Sequence, residues 1–307
     1  MEGMNRSIQP GTNRLRSFVT KSAALAEVCL VFALAHLSFR AFKQFTDLGE
    51  REVEAGLNYS TGCVLILFSL GAIWLSRRQW HDYGLAVGRW RRDLSIGLLA
   101  GLLLAVGAEL LVRLAHVSPT AFQRPDPAEA LLLGTGHVVV VLVILWASKH
   151  DWHGIRPGIT GLAAIVLVGL LCLPVVLAAT IGRQPLRTVA MVGWLFACAG
   201  FGEEIFFRGY VQSRVNRTFG RPWRILGVEW GIGLIVSSLL FGAIHVLNTV
   251  DYFAGRFEFA WGFGLMNCFA GFSFGLLREK TGTIVASGVT HGLLDVLAEI
   301  SRLISGP

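Results

Sequence analysis

Charged residues are scarce in this sequence. Asp, Glu, Lys and Arg make up 15% of its 307 residues, whereas soluble globular proteins carry about 25%. Hydrophobic residues reach 53%, and they recur in runs of about twenty, each long enough to cross the hydrocarbon core of a bilayer as a helix. The composition therefore excludes an ordinary soluble domain and predicts an all-α, polytopic helical membrane protein.

Neither the cysteines nor the net charge points to a further function class. The five cysteines are odd in number, lack a CxxC arrangement and lie inside apolar runs, so we interpret them as small core residues. The net charge is +7, but the basic residues lie in short loops between apolar runs, where membrane topology accounts for them. We therefore expect no nucleic-acid partner.

The apolar runs predict nine membrane spans, with eight as the alternative count. They cover roughly 23–42, 57–76, 94–114, 131–148, 159–180, 188–208, 231–250, 259–277 and 283–303. Eighteen of the 27 Lys and Arg residues fall in the N-terminal tail and in alternate loops, at 77–93, 149–158, 208–230 and 278–282, and eight fall on the other side. This bias predicts a cytoplasmic N-terminus.

Ionisable residues inside the spans are candidates for function, because each costs a few kcal/mol to bury in a bilayer. Glu109 and Arg113 stand one helical turn apart and are expected to neutralise each other. Glu27 and His36 have no partner nearby in the sequence.

Two adjacent carboxylates, Glu203 and Glu204, precede Arg208 in the sixth span. On an α-helix, neighbouring side chains point about 100° apart, so the two carboxylates cannot share one role. Glu204 lies four residues before Arg208, which predicts an ion pair and leaves Glu203 free to act. The alternative is that both glutamates lie at the membrane interface without a catalytic role.

Two later spans add histidines with polar neighbours. Phe241, His245 and Asn248 are spaced i, i+4, i+7 and are expected to form one stripe on a helix, while His291 and Asp295 stand one turn apart in the last span. A carboxylate this close can fix the tautomer of a histidine. The alternatives are a histidine that only packs and a His–Asp pair that only joins helices.

These motifs together resemble the CPBP family, the CAAX proteases and bacteriocin-processing enzymes, which includes the Ras-converting CAAX prenyl endopeptidases. The similarity rests on EExxxR, FxxxH and HxxxD in this order, at Glu203, Glu204 and Arg208, at Phe241 and His245, and at His291 and Asp295. It covers about residues 185–304 and includes the run 271–282. Tyr83-Gly84-Leu85 faintly resembles a short interfacial motif of the family.

The resemblance implies an α-helical intramembrane endopeptidase that hydrolyses a peptide bond of a membrane-associated protein or peptide. Glu203 would activate water with the help of His245, and Glu204 with Arg208 would be structural. His291 would polarise the scissile carbonyl or stabilise its oxyanion. The family position of Asp295 is often Asn; because a carboxylate would repel an oxyanion, Asp295 is expected to orient His291 or to bind a metal.

Zinc is an alternative that the residues leave open. Two histidines with one or two carboxylates suffice as zinc ligands, which makes Glu203, His245, His291 and Asp295 the candidate ligands and a metalloprotease-like site conceivable. The motif HExxH is absent from the sequence.

The sequence is expected to divide into three parts: a basic cytoplasmic tail over 1–21, an N-terminal transmembrane bundle over 22–182 and a catalytic transmembrane core over 185–304. Within the core, Asn248 is expected to support the catalytic residues. The expected partners are the lipid bilayer and a peptide or protein substrate, and the expected location is a bacterial plasma membrane. A catalytically inactive scaffold or immunity protein, and a transporter that uses intramembrane Glu and His residues, are the alternative functions.

Overall fold

Helices account for most of the residues that the computed structural model describes, namely 10–86, 88–116, 125–148 and 157–305. They are α1 (Pro10–Phe45), α2 (Asp47–Ala55), α3 (Tyr59–Leu75), α4 (Trp90–Leu114), α5 (Pro127–Ala147), α6 (Pro157–Thr180), α7 (Pro185–Phe219), α8 (Ile232–Val246), α9 (Trp261–Thr281) and α10 (Val285–Ser305). A 3₁₀ turn, Trp80–Tyr83, precedes α4, and a second, Leu247–Thr249, follows α8.

The predicted all-α membrane fold is confirmed. Within the described ranges, six helices are long and apolar enough to cross a membrane, namely α1, α4, α5, α6, α7 and α8 extended to Thr249. Each of the nine predicted spans coincides with a helix or with part of one, while the number that crosses the membrane stays a prediction. Helix α1 begins at Pro10, so the end of the predicted tail over 1–21 is helical. The division of the chain into a tail, a bundle and a core stays a prediction, and residues 1–9 lie outside the described residues.

Local sequence signals explain how several elements begin and end. Asp126 caps α5 by accepting hydrogen bonds from the N–H groups of Ala128 and Glu129, and Glu129 reciprocates, which forms a capping box. The strands β1 (Trp223–Ile225) and β2 (Val228–Trp230) pair antiparallel between α7 and α8. Positive φ angles at both Leu226 and Gly227 suit the two-residue turn that joins them.

Contacts between the described loops fall into two groups, one at each end of the helices. On one face Arg217 pairs with Asp82, and the Ile284 N–H donates to the Gly84 carbonyl at 3.0 Å. On the other face the His36 ring lies 3.0 Å from the Tyr252 hydroxyl, and Arg187 donates to the Ala55 carbonyl at 3.1 Å. Which face is cytoplasmic stays a prediction, and most of the predicted loop 149–158 lies outside the described residues.

Helices from both predicted transmembrane parts pack together around α7. Helix α4 packs along α10, and α5 packs along α9. The rings of Phe206, Phe207 and Tyr210 on α7 are fully buried. Helix α1 joins α7 through Glu27, which pairs with Arg214 at 2.6 Å and accepts a hydrogen bond from Tyr210. The partner that Glu27 lacks in the local sequence is thus supplied by another helix.

Candidate active site

Helix α7 departs from α-helical geometry on both sides of Glu203 and Glu204. It is α-helical over Pro185–Gly193, π-helical over Trp194–Gly202 and over Ile205–Gln212, and α-helical again over Ser213–Phe219. A π-helix closes its hydrogen bonds over five residues instead of four, and such stretches are rare and frequent at functional sites. The angular spacing of side chains here therefore differs from the α-helical value assumed for the sequence.

Glycines bring α7 into backbone contact with its neighbours just before the carboxylates. A Cβ atom on Gly200 would lie 2.6 Å from the Cα atom of Gly292 in α10, closer than real side chains come. A Cβ atom on Gly202 would lie 3.3 Å from the Cα atom of Gly62 in α3. Because neither position leaves room for a larger side chain without movement, Glu203 is held where α3, α7 and α10 meet.

Glu204 and Arg208 form the predicted ion pair, and both side chains are 0% exposed. Arg208 Nη1 donates to Glu204 Oε1 at 2.7 Å, and Nη2 donates to the Gly271 carbonyl in α9 at 2.9 Å. The guanidinium carbon lies 4.3 Å from the ring centre of Phe241 and 5.3 Å from that of Phe274. Cation–π contacts thus add to the charge compensation that a buried arginine needs.

The ring of His291 lies between two carboxylates. Its Nδ1 is 3.3 Å from Glu204 Oε1, and its Nε2 is 3.6 Å from Asp295 Oδ2. The second distance exceeds the range of a good N–H···O hydrogen bond, so Asp295 acts on the imidazole as a neighbouring charge. Phe274 stacks on the same ring at a centroid distance of 4.8 Å. Glu204, which the sequence assigned only to Arg208, therefore contacts His291 as well.

The orientation of His245 follows from its own helix. Its Nδ1 lies 2.7 Å from the carbonyl oxygen of Phe241. Because a carbonyl can only accept, we assign the proton to Nδ1, which leaves Nε2 available as a base or ligand. The Phe241 ring contacts both histidines, at centroid distances of 4.7 Å to His245 and 5.5 Å to His291.

Glu203 differs from Glu204 in having no hydrogen-bond partner among the described residues. Its Oε2 is buried and unpaired among the described residues, and the charges acting on it come from His291, Asp295, Glu204 and Arg208. Glu204 Oε2 is also buried and unpaired, but Glu204 Oε1 bonds to Arg208, whereas no described residue bonds to either oxygen of Glu203. Buried carboxylates usually have partners, so one without any described partner is a candidate for chemistry. In the described ranges, neither a hydrogen bond nor an ion pair joins Glu203 directly to His245.

Asn248 does not join this cluster. The α-helical part of α8 ends at Val246, and residues 247–249 tighten into a 3₁₀ turn, which breaks the i, i+7 stripe expected for a continuous helix. Asn248 is exposed, and its backbone carbonyl accepts a hydrogen bond from Arg40 at 3.4 Å. The structure thus brings together six of the seven predicted site residues and leaves Asn248 outside.

The zinc alternative has no geometric support. In the parts of the chain that the structure describes, no group of three or more His, Cys, Asp and Glu side chains is arranged to hold a metal ion. Glu203, His245, His291 and Asp295 lie in one region but do not form such a set. The description of the site as metalloprotease-like is therefore not supported.

Sequence reasoning missed the groups that hold the site together. Phe274 and the Gly271 carbonyl lie on α9, within the run 271–282 that carries part of the family resemblance. The sequence indicated that this run belongs to the family motif, but it did not indicate what each residue contacts. The contacts of Phe274 with Arg208 and His291 join three different helices, so they cannot be predicted from spacing within one helix. Gly200 and Gly292 gave no motif signal.

Comparison with protein-family models gives one finding that bears on this site. Residues 185–297 match the model described as type II CAAX prenyl endopeptidase, Rce1-like. The matched segment contains the whole cluster around Glu203, from α7 to α10. Searches of curated proteins and of solved structures gave no significant match.

Proposed function

Residues 185–297 carry a CAAX-protease domain of the CPBP family, which is a protease family, and on that premise we propose that the protein is an intramembrane endopeptidase. Its substrate would be a membrane-associated protein or peptide. The N-terminus and the face that carries Asp82 and Arg217 are assigned to the cytoplasm, because the Lys and Arg bias favours that side.

The observation that carries the proposal is that Glu203, within electrostatic range of His291, has a buried Oε2 and no hydrogen-bond partner among the described residues. Two glutamates adjacent in sequence have opposite environments: Glu204 is neutralised by Arg208, whereas Glu203 has no hydrogen-bond donor of its own. A structural carboxylate needs a partner, while a general base must keep an oxygen free for water.

The proposed reaction assigns one group of the cluster to each step of amide hydrolysis. Glu203 takes a proton from water, and the hydroxide adds to the scissile carbonyl carbon. His291 stabilises the oxyanion of the tetrahedral intermediate. The C–N bond then breaks, and the proton held by Glu203 passes to the leaving amine. We assign His245 Nε2 to hold the same water, because its Nδ1 is already bonded to the Phe241 carbonyl.

Substitution of Glu203 tests the proposal directly. Purified protein is assayed with a panel of fluorogenic prenylated and unprenylated peptides, with and without a chelator. Glu203→Gln should lower turnover by about 10²–10⁴-fold, the usual contribution of a general base, and should leave unfolding unchanged, because Glu203 makes no hydrogen bond.

Glu109→Gln is the matched control, since Glu109 is a carboxylate of α4 whose one partner among the described residues is the exposed Arg113. It should retain full turnover. More than a tenth of wild-type turnover in Glu203→Gln would remove Glu203 from the mechanism. Cleavage of no peptide by the wild type would count against the proposed activity itself.

A further inference from the structure

A basic cleft lies where α1 and α7 approach each other on the predicted cytoplasmic face. It has a volume of about 300 Å³ and is lined by Arg16, Ser17, Thr20, Lys21 and Thr218. The lining thus combines two cations with three hydroxyl groups, and none of the described lining residues is a carboxylate. Sites for small ligands begin at roughly this volume.

The two cations of the cleft are not neutralised by any residue that the structure describes. Arg16 and Lys21 have no carboxylate partner among the described residues, and Lys21 instead lies 5.4 Å above the ring of Phe219. The neighbouring Arg214, in contrast, is paired with Glu27. Ser17 has a hydroxyl without a described partner, so the cleft offers both positive charge and a hydrogen-bond donor.

The apolar surroundings indicate which anion fits. Leu15, Phe18 and Val19 are exposed on the same stretch of α1, which forms the beginning of the apolar span Leu15–Phe45. A ligand in the cleft therefore lies at the boundary between the charged and the hydrocarbon zones of the membrane. An anionic phospholipid satisfies both zones, because its phosphate meets the cations while its acyl chains cover the apolar side chains.

We propose that this cleft binds the headgroup phosphate of an anionic phospholipid. The site is independent of the cluster around Glu203 and does not depend on the proposed proteolysis. The phosphate is held by Arg16 and Lys21, with Ser17 as a hydroxyl donor. An inorganic phosphate ion shares this chemistry but lacks the acyl contacts.

The experiment measures lipid binding to the full-length protein. Binding of phosphatidylglycerol and of phosphatidylcholine is followed by native mass spectrometry of detergent-solubilised protein. The wild type should prefer phosphatidylglycerol, and the double variant Arg16→Ala with Lys21→Ala should lose about 30-fold of its affinity, the effect expected for two interfacial cations. A variant with Arg77→Ala and Arg78→Ala removes the same charge from another loop on this face and should lose far less.

Equal losses in the two double variants, or no preference for phosphatidylglycerol, would overturn the proposal. Ser17→Ala changes no charge and should lower the affinity about fivefold; unchanged affinity would overturn its role as donor. Addition of millimolar inorganic phosphate should not displace the lipid. Displacement, together with phosphate binding to lipid-free protein that the Arg16 and Lys21 substitutions abolish, would assign the cleft to free phosphate and overturn the lipid assignment.

Discussion

Removing one partner of the Glu204–Arg208 pair should destabilise the protein strongly. Both side chains are 0% exposed, so Arg208→Met leaves a buried carboxylate whose nearest remaining partner is His291 Nδ1 at 3.3 Å. Glu204→Gln leaves a buried guanidinium that has lost its ion-pair partner and retains the Gly271 carbonyl, an amide oxygen and aromatic rings as contacts. Stranding a buried charge costs about 3–5 kcal/mol, which is the expected loss in the free energy of unfolding for either variant.

The chain contains a control pair with the same spacing and nearly the same distance. Glu109 and Arg113 also stand four residues apart, and Arg113 Nε lies 2.6 Å from Glu109 Oε1, but their side chains are 57% and 76% exposed. A pair of this kind is worth about 0.3–0.5 kcal/mol. Arg113→Met should therefore cost roughly a tenth of what Arg208→Met costs.

The assay is unfolding of purified protein in mixed micelles by titration with dodecyl sulfate, followed by tryptophan fluorescence. The double variant Glu204→Leu with Arg208→Met should be more stable than either single variant, because it strands no charge. Burial predicts that Arg208→Met lowers the free energy of unfolding by several kcal/mol more than Arg113→Met does. Losses that differ by less than about 1 kcal/mol would refute this prediction.

Two further substitutions test the geometry of the site. Asp295→Asn should lower turnover by less than about tenfold, because an amide oxygen can still face His291 Nε2; a loss of about 100-fold that added zinc restores would instead make Asp295 a metal ligand. Gly200→Ala should lower both stability, by about 1–3 kcal/mol, and turnover, because the new Cβ meets the Gly292 backbone at 2.6 Å. Gly71→Ala, with open space around its Cβ, should stabilise slightly, and equal effects of the two glycine substitutions would contradict the close-packing argument.

Most of the helices could be predicted because the hydropathy of each segment can be read directly from the sequence. A bilayer selects apolar runs of a fixed length, so every predicted span coincides with a helix or part of one. The Glu204–Arg208 pair was predictable for a similar reason, since its two residues lie one turn apart on a single helix. Local spacing carried both predictions.

Contacts between helices could not be predicted from the spacing of residues along the sequence. The proximity of His291 to Glu204 depends on how α10 packs against α7, and the stacking of Phe274 on His291 depends on α9. The stripe that was expected to include Asn248 assumed a regular helix, whereas α8 tightens after Val246. The π-helical stretches of α7 also have no signature in hydropathy.

The position of Glu204 means that stability and chemistry cannot be assigned to separate residues in this site. A single oxygen, Glu204 Oε1, accepts the hydrogen bond from Arg208 and faces His291 Nδ1. Loss of Arg208 therefore leaves the Glu204 carboxylate without its ion-pair partner in the core, and it also changes the charge that the His291 imidazole faces. Glu203 has no such coupling, because no hydrogen bond or ion pair joins it to any described residue. Substitution of Glu203 should thus affect turnover alone, whereas substitution of Glu204 or Arg208 should affect stability and turnover together.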